Sequence, residues 1–177
     1  MITGTEAVKR VVINEGGFQD DRNDRGNWTS GTIGVGQLKG TKYGISAMTY
    51  PNLDIKNLTV DQAVDIYTKD WWNKYKLDQL NPAVGYQVLD AAVNHGASNA
   101  IKMLQRAVGF TGTGVDGIIG PKTIAASNAM QPGQVVLEFL ANRLQFMTDI
   151  STFDRYGKGW SRRVSKNMLL GSDDIYK

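Results

Sequence analysis

A chain of 177 residues is long enough for one full core, or one core with a small lobe, and 41% hydrophobic with 21% charged residues is a globular composition. It has no cysteine and one histidine, which excludes disulfides, thiol nucleophiles and thiolate metal sites and argues against zinc. The net charge of +3 favours an acidic partner such as an anionic polysaccharide, while the single dense basic spot, "GKGWSRRVSK", argues against nucleic acid.

The N-terminal "MITGTEAVKR" has no apolar core of a secretory signal, and no apolar run is long enough to span a bilayer. Neither export by its own signal nor stable membrane insertion is expected. The first predicted helix, "TGTEAVKRVVINEGG", opens with Thr3 and Glu6 at capping-box spacing and closes on glycine. On a wheel at 100° per residue, Glu15 lies about 20° short of two turns from Val8 and about 40° past one turn from Val11. It therefore shares the apolar face of Val8, Val11 and Val12. A carboxylate in apolar surroundings at a helix C-terminus is expected to hold its proton more tightly, as a general acid must. The bland alternative is a glutamate reaching solvent at a helix end.

"QDDRNDRGN" follows, with Asp20, Asp21 and Asp24. A protonated Glu facing an ionised Asp is the pairing that glycosidic bond cleavage requires. Between about 24 and 46 the glycine-rich "DRGNWTSGTIGVGQLKGTKYGIS" reads as a short hairpin or irregular sheet. Its "GVGQLKG" has a misplaced third glycine for a dinucleotide fingerprint, and no cofactor is expected.

Helical patterns then dominate. "LTVDQAVDIYTKDWWNKY" carries Thr59 and Gln62 as a second capping box, with Val60, Val64 and Tyr67 on one face. Trp71 and Tyr75 share a face, which predicts core packing. Asn81 and Pro82 read as N-cap and first position of "PAVGYQVLDAAVNHG". Asn94, at its end, is a candidate for lining a sugar cleft; His95 reads more simply as an exposed imidazole. "SNAIKMLQRAVG" should start at Ser98 and stop at Gly109. "DGIIGPKT" is a tight loop before a helix opened by Pro121. "GQVVLEFLANRLQFMTDIST" is a long amphipathic helix and "WSRRVSKNMLL" a short last one. The expected class is mainly α with a small β or loop wing at about 24–46.

"EGGF", "DRG", "TKYGIS", "WWNKYKLDQLNP", "LDAAVNHGASNAIKMLQRAVG", "VDGIIGPKTIAA" and "GKGWSRRV" occur in the order seen in glycoside hydrolase family 108 muramidases, and the chain resembles that family over about residues 6–165. The resemblance implies a lysozyme-like α+β fold, with residues 1–96 as catalytic region and 97–177 as a helical region similar to a peptidoglycan-binding part, packed as one globular unit. It implies hydrolysis of the bond between N-acetylmuramic acid and N-acetylglucosamine, as in phage or prophage lysis proteins. The implied partner is the peptidoglycan glycan strand; a monomer is expected, and without a signal it is expected to accumulate in the host cytoplasm before release to the wall. Glu15 falls on the family's catalytic glutamate. Asp24 suits the Glu–Asp–Thr order of phage-type lysozymes, with Thr41 as the threonine and Thr29 as its rival. The stretch between them looks like an insertion relative to the shortest relatives. Tyr43, beside Thr41, is the expected substrate contact. The competing functions are a lytic transglycosylase, which needs no second carboxylate, and a non-catalytic wall-binding or virion protein.

Overall fold

The computed structural model of the protein describes residues 2–176 and divides them into two compact units, residues 8–70 and residues 2–7 with 71–176. Helix α1, Gly4–Asn14, contributes to both. It starts as the sequence predicts: Glu6 N–H donates to Thr3 Oγ1 at 3.2 Å and Thr3 N–H donates to Glu6 Oε2 at 2.8 Å.

In the 8–70 unit the apolar stripe of α1 is buried, Val8, Val11 and Val12 being at most 1% exposed. The wing is real but slight. Strand β1, Thr41–Lys42, pairs antiparallel with β2, Ile45–Ser46. The two residues between them, Tyr43 and Gly44, have φ of 53° and 72°. Two left-handed residues make the turn whose twist matches paired strands, and the second favours glycine. Gln19 bridges to Thr41 on the open side of the hairpin. The unit continues into helix α2, Val60–Tyr67, with the predicted Thr59–Gln62 capping box complete.

The helix predicted over residues 58–75 is not one α-helix. After Tyr67 the backbone widens into a π-helix over Thr68–Asn73. The wider turn shifts the period, so Trp72 is the buried indole while Trp71 and Tyr75 are half-buried, with rings 6.0 Å apart. Trp72 lies between Gly4 and Gly85: a Cβ at either would stand 3.2 or 2.7 Å from its ring. The core role expected of Trp71 and Tyr75 thus belongs to Trp72.

The unit that holds residues 71–176 is built round helix α3, Pro82–His95, capped by Asn81 as expected. Ala83 through Ala92 are all buried. Such a helix has no solvent face and must be surrounded. Helices α4 (Ala97–Ala107), α6 (Pro132–Thr148) and α7 (Phe153–Tyr176) pack against it, and α5 (Pro121–Ala129) packs on α4 and α6. Helix α4 begins at Ala97, one residue before the expected start, because Gly96 at φ 84° supplies the break. Helix α7 is the larger departure, running 24 residues where a short helix was expected. Glycines 157, 159 and 171 weaken its local signal, and packing overrides it. Gly171 allows close approach to α6, since a Cβ there would stand 2.8 Å from Val136.

Candidate functional site

Glu15 stands one residue beyond the end of α1. It is half-buried rather than enclosed like the valines, so the apolar pocket expected of it is only partly formed. Gly16 follows at φ 88°, which turns the chain out of the helix. A Cβ at Gly16 or Gly17 would meet nothing within 4 Å, so the chain just after Glu15 runs through open space. The other side is close. A Cβ at Gly44 would lie 3.4 Å from Glu15 Cβ and Cγ and 2.5 Å from the Tyr67 hydroxyl oxygen. The hairpin tip therefore fits against Tyr67 only because residue 44 has no side chain, while Glu15 lies at ordinary contact distance. The tip is fixed by two bonds: Tyr43 N–H donates to Gly16 O at 3.0 Å, and the Tyr67 hydroxyl donates to Tyr43 O at 3.0 Å.

Asp24 and Thr41 are joined through two residues that the sequence reading did not single out. Gln19 Nε2 donates to Asp24 Oδ2 at 3.1 Å and to Asn27 Oδ1 at 3.2 Å. Asn27 is fully buried, donates back to Gln19 Oε1 at 2.7 Å, and accepts from the Thr41 hydroxyl at 2.7 Å. Backbone bonds between Gln19 and Thr41 at 2.9 and 2.8 Å hold the two segments in register. Asp24 also has a local duty, since its Oδ1 accepts from Gly26 N–H at 2.8 Å and caps the short 3-10 turn Arg25–Asn27. Asp24 is exposed and both its oxygens are engaged. Thr29 takes no part: its Oγ1 accepts from Gln37 N–H at 2.9 Å and closes a separate loop. Of the two threonines, Thr41 is the one linked to Asp24.

Asp20 points away from this network. Gln19 faces Asn27, while its neighbours Phe18 and Asp20 turn to a different surface. There they line a groove of about 400 Å³ with Leu38, Leu53, Asp54 and Ile55. Asp21 accepts from Asn23 N–H at 2.9 Å, a turn contact. Tyr43 is half-buried, with Lys42 Nζ 5.4 Å from its ring centre.

Asn94 belongs to the other unit. It is exposed at the end of α3, and its amide donates to Asp90 O at 2.6 Å. Beneath it lies a charged cluster with no signal in the local sequence. Asp90, fully buried, accepts from Arg143 Nη1 at 2.6 Å, Arg163 Nη2 at 2.7 Å and Asn167 Nδ2 at 2.9 Å. Burial alone would raise its carboxyl, but Arg143 and Arg163 outweigh that and hold it below the usual range.

The "DGIIGPKT" loop is clamped onto α4. Gln105 Nε2 donates to Asp116 Oδ1 at 2.7 Å and Gln105 Oε1 accepts from Gly117 N–H at 2.9 Å. Gly117 has φ 77°, and a Cβ there would stand 2.4 Å from Ser98 Oγ. These contacts give the motif a structural role. Among the described residues no group of three or more His, Cys, Asp or Glu is placed to hold a metal ion, and no helix is long and apolar enough to cross a membrane.

The model of the family described as Glycosyl hydrolase 108 matches residues 8–96, and that of a "Predicted Peptidoglycan domain" matches residues 99–165. The chain is similar to a solved structure of SagA from Brucella abortus, with 32% identity over 98% of this chain and 96% of that one, and a TM-score of 0.75. No curated protein matches it.

Proposed function

Because the chain belongs to the glycosyl hydrolase 108 family, and is thus a glycoside hydrolase that degrades peptidoglycan, we propose that it is a muramidase with Glu15 as general acid. The bond cleaved is the β-1,4 link from N-acetylmuramic acid to N-acetylglucosamine. One observation carries the reading: a half-buried carboxylate with open space at Gly16 and Gly17, backed by a hairpin that fits only because residue 44 is glycine. Glu15 protonates the leaving oxygen. Asp24, fixed through Gln19, supplies negative charge to an oxocarbenium-like centre or holds the attacking water. Thr41, oriented by Asn27, positions that water, and Tyr43 contacts sugar. We extend the proposal to a monomeric phage or prophage endolysin that accumulates in the host cytoplasm, the setting that the family resemblance suggests.

A second reading is favoured by the double engagement of Asp24. A carboxylate already occupied as a cap and by Gln19 is less free to act as a base. A transglycosylase needs only Glu15, because the muramic acid's own hydroxyl attacks. Mass spectrometry of the products separates the two. Reducing muramic ends support hydrolysis, and anhydro ends sink it in favour of transglycosylation.

A further inference from the structure

His95 ends α3 inside a group of rings. Its imidazole meets Phe146 edge-on at 5.5 Å and Trp160 at 6.0 Å. Trp160 in turn lies 6.4 Å from Phe153 and 5.9 Å from Tyr156. None of the five is fully buried, and Tyr156 is 46% exposed.

The histidine carries a directed proton. Arg143 Nε donates to His95 Nε2 at 3.3 Å. A guanidinium has no lone pair to offer, so Nε2 must be the bare nitrogen and the proton of the neutral ring sits on Nδ1. Among the described residues nothing accepts from that Nδ1–H. Burial, then the Arg143 charge, lowers the ring's pKa to about 4, so the neutral form persists at neutral pH. A donor without a partner, framed by half-exposed rings, is a poor core element and a good contact for a neutral acceptor.

The charge around the rings is mostly positive. Arg155 lies 5.1 Å over Tyr156, and Lys158 and Arg162 are exposed nearby in the chain, against Asp154. Arg163 is turned to Asp90.

We infer that the surface formed by His95, Tyr156 and Trp160 binds the N-acetylated amino-sugar strand of peptidoglycan, with His95 Nδ1–H donating to a sugar acetamide or hydroxyl oxygen. This rests on the wall-degrading reading and adds a contact with the glycan strand in the other unit. The rings take the apolar faces of the sugars, and the cations take the carboxylates borne by muramic acid and its peptides. Single-stranded nucleic acid also stacks and is anionic. It fits less well, because the directed donor is uncharged, Arg163 is committed to Asp90, and Asp154 stands among the remaining cations.

The test is an NMR titration of the full chain with chitotetraose and, separately, with a ten-residue oligothymidine, following the His95 ring and Trp160 indole signals. Saturable movement of both with the saccharide alone supports the inference. Trp160→Ala should weaken saccharide binding roughly two- to tenfold, with most of it restored in Trp160→Phe. If Trp160→Ala does not fold, Tyr156→Ala carries the same reading. Signals unmoved by saccharide, equal affinity in a folded variant, or stronger movement with the oligonucleotide would overturn it. Digestion of purified walls is measured alongside. Intact digestion without ring signals sinks this surface alone; ring signals without digestion sink the hydrolase reading alone.

Discussion

Arg143 and Asp90 form an ion pair of 2.6 Å whose side chains are 1% and 0% exposed. One joins α6 to α3, and Arg163 adds α7 to the same carboxylate at 2.7 Å. Three helices thus meet on one buried anion.

Removing that anion should be costly. Asp90→Asn leaves Arg143 charged and enclosed, and breaking a buried pair from one side costs about 3–5 kcal/mol. Thermal unfolding should show the loss directly. A drop no larger than that of an exposed control such as Asp173→Asn would contradict it.

Acid should weaken the same region in two stages. His95 is held to about 4 in the folded chain, against an ordinary 6.5. Below about 6.5 the unfolded chain takes up a proton that the folded one refuses, so stability declines as pH falls from 6.5 towards 4. Asp90, held below the ordinary range, adds stability above about 3.8 that is lost as pH falls through its lowered value. In His95→Gln the first decline should flatten and the second remain. An unchanged slope between pH 6.5 and 4 would rule out His95 as its source.

Glu15→Gln should lose activity on purified walls by roughly 10²–10⁴-fold while its melting temperature holds, since an amide of the same shape has no acidic proton to transfer to the leaving oxygen. Retention of more than about a tenth of activity would remove Glu15 as the acid.

Gly44 and Gly17 give a matched pair. Gly44→Ala puts a methyl between Glu15 and Tyr67 at φ 72°, with a backbone cost of about 1–2 kcal/mol before any clash. Gly17→Ala meets nothing. The first should lower both stability and activity, and the second should spare the fold. Calorimetry and wall digestion on both variants decide it.

Asp24→Asn distinguishes charge from capping, because asparagine caps as well as aspartate. A strong loss of activity in a stable Asp24→Asn, with weak losses in Asp20→Asn and Asp21→Asn, is expected. Wild-type activity in Asp24→Asn, with loss only in Asp24→Ala, would reduce Asp24 to a cap.

Local chemistry made much of this legible. The capping residues Thr3, Thr59 and Asn81 marked helix starts, and the valines of α1 marked a buried face. Glu15 stood out by its place against that face. The hidden parts are those made by distant partners. Gln19 and Asn27 look like ordinary loop polars until Thr41, 14 residues past Asn27, closes their network. Arg143 and Arg163 lie 53 and 73 residues from the aspartate that orders them. The π-helix at Thr68–Asn73 hides for another reason: at the ordinary helical period, Trp71 and Trp72 exchange places.

The loop from Thr29 to Gln37 closes on itself. Thr29 and Gln37 are tied at its neck by two bonds of 3.0 and 2.9 Å, Ser30 Oγ donates to Val35 O at 2.8 Å inside it, and Ile33 and Val35 are each 53% exposed. A segment sealed at its base passes little strain to the strand it leaves. Its tip is therefore the natural graft point of the molecule, where an epitope or fluorescent label between Gly34 and Val35 should leave the Gln19–Thr41 register undisturbed.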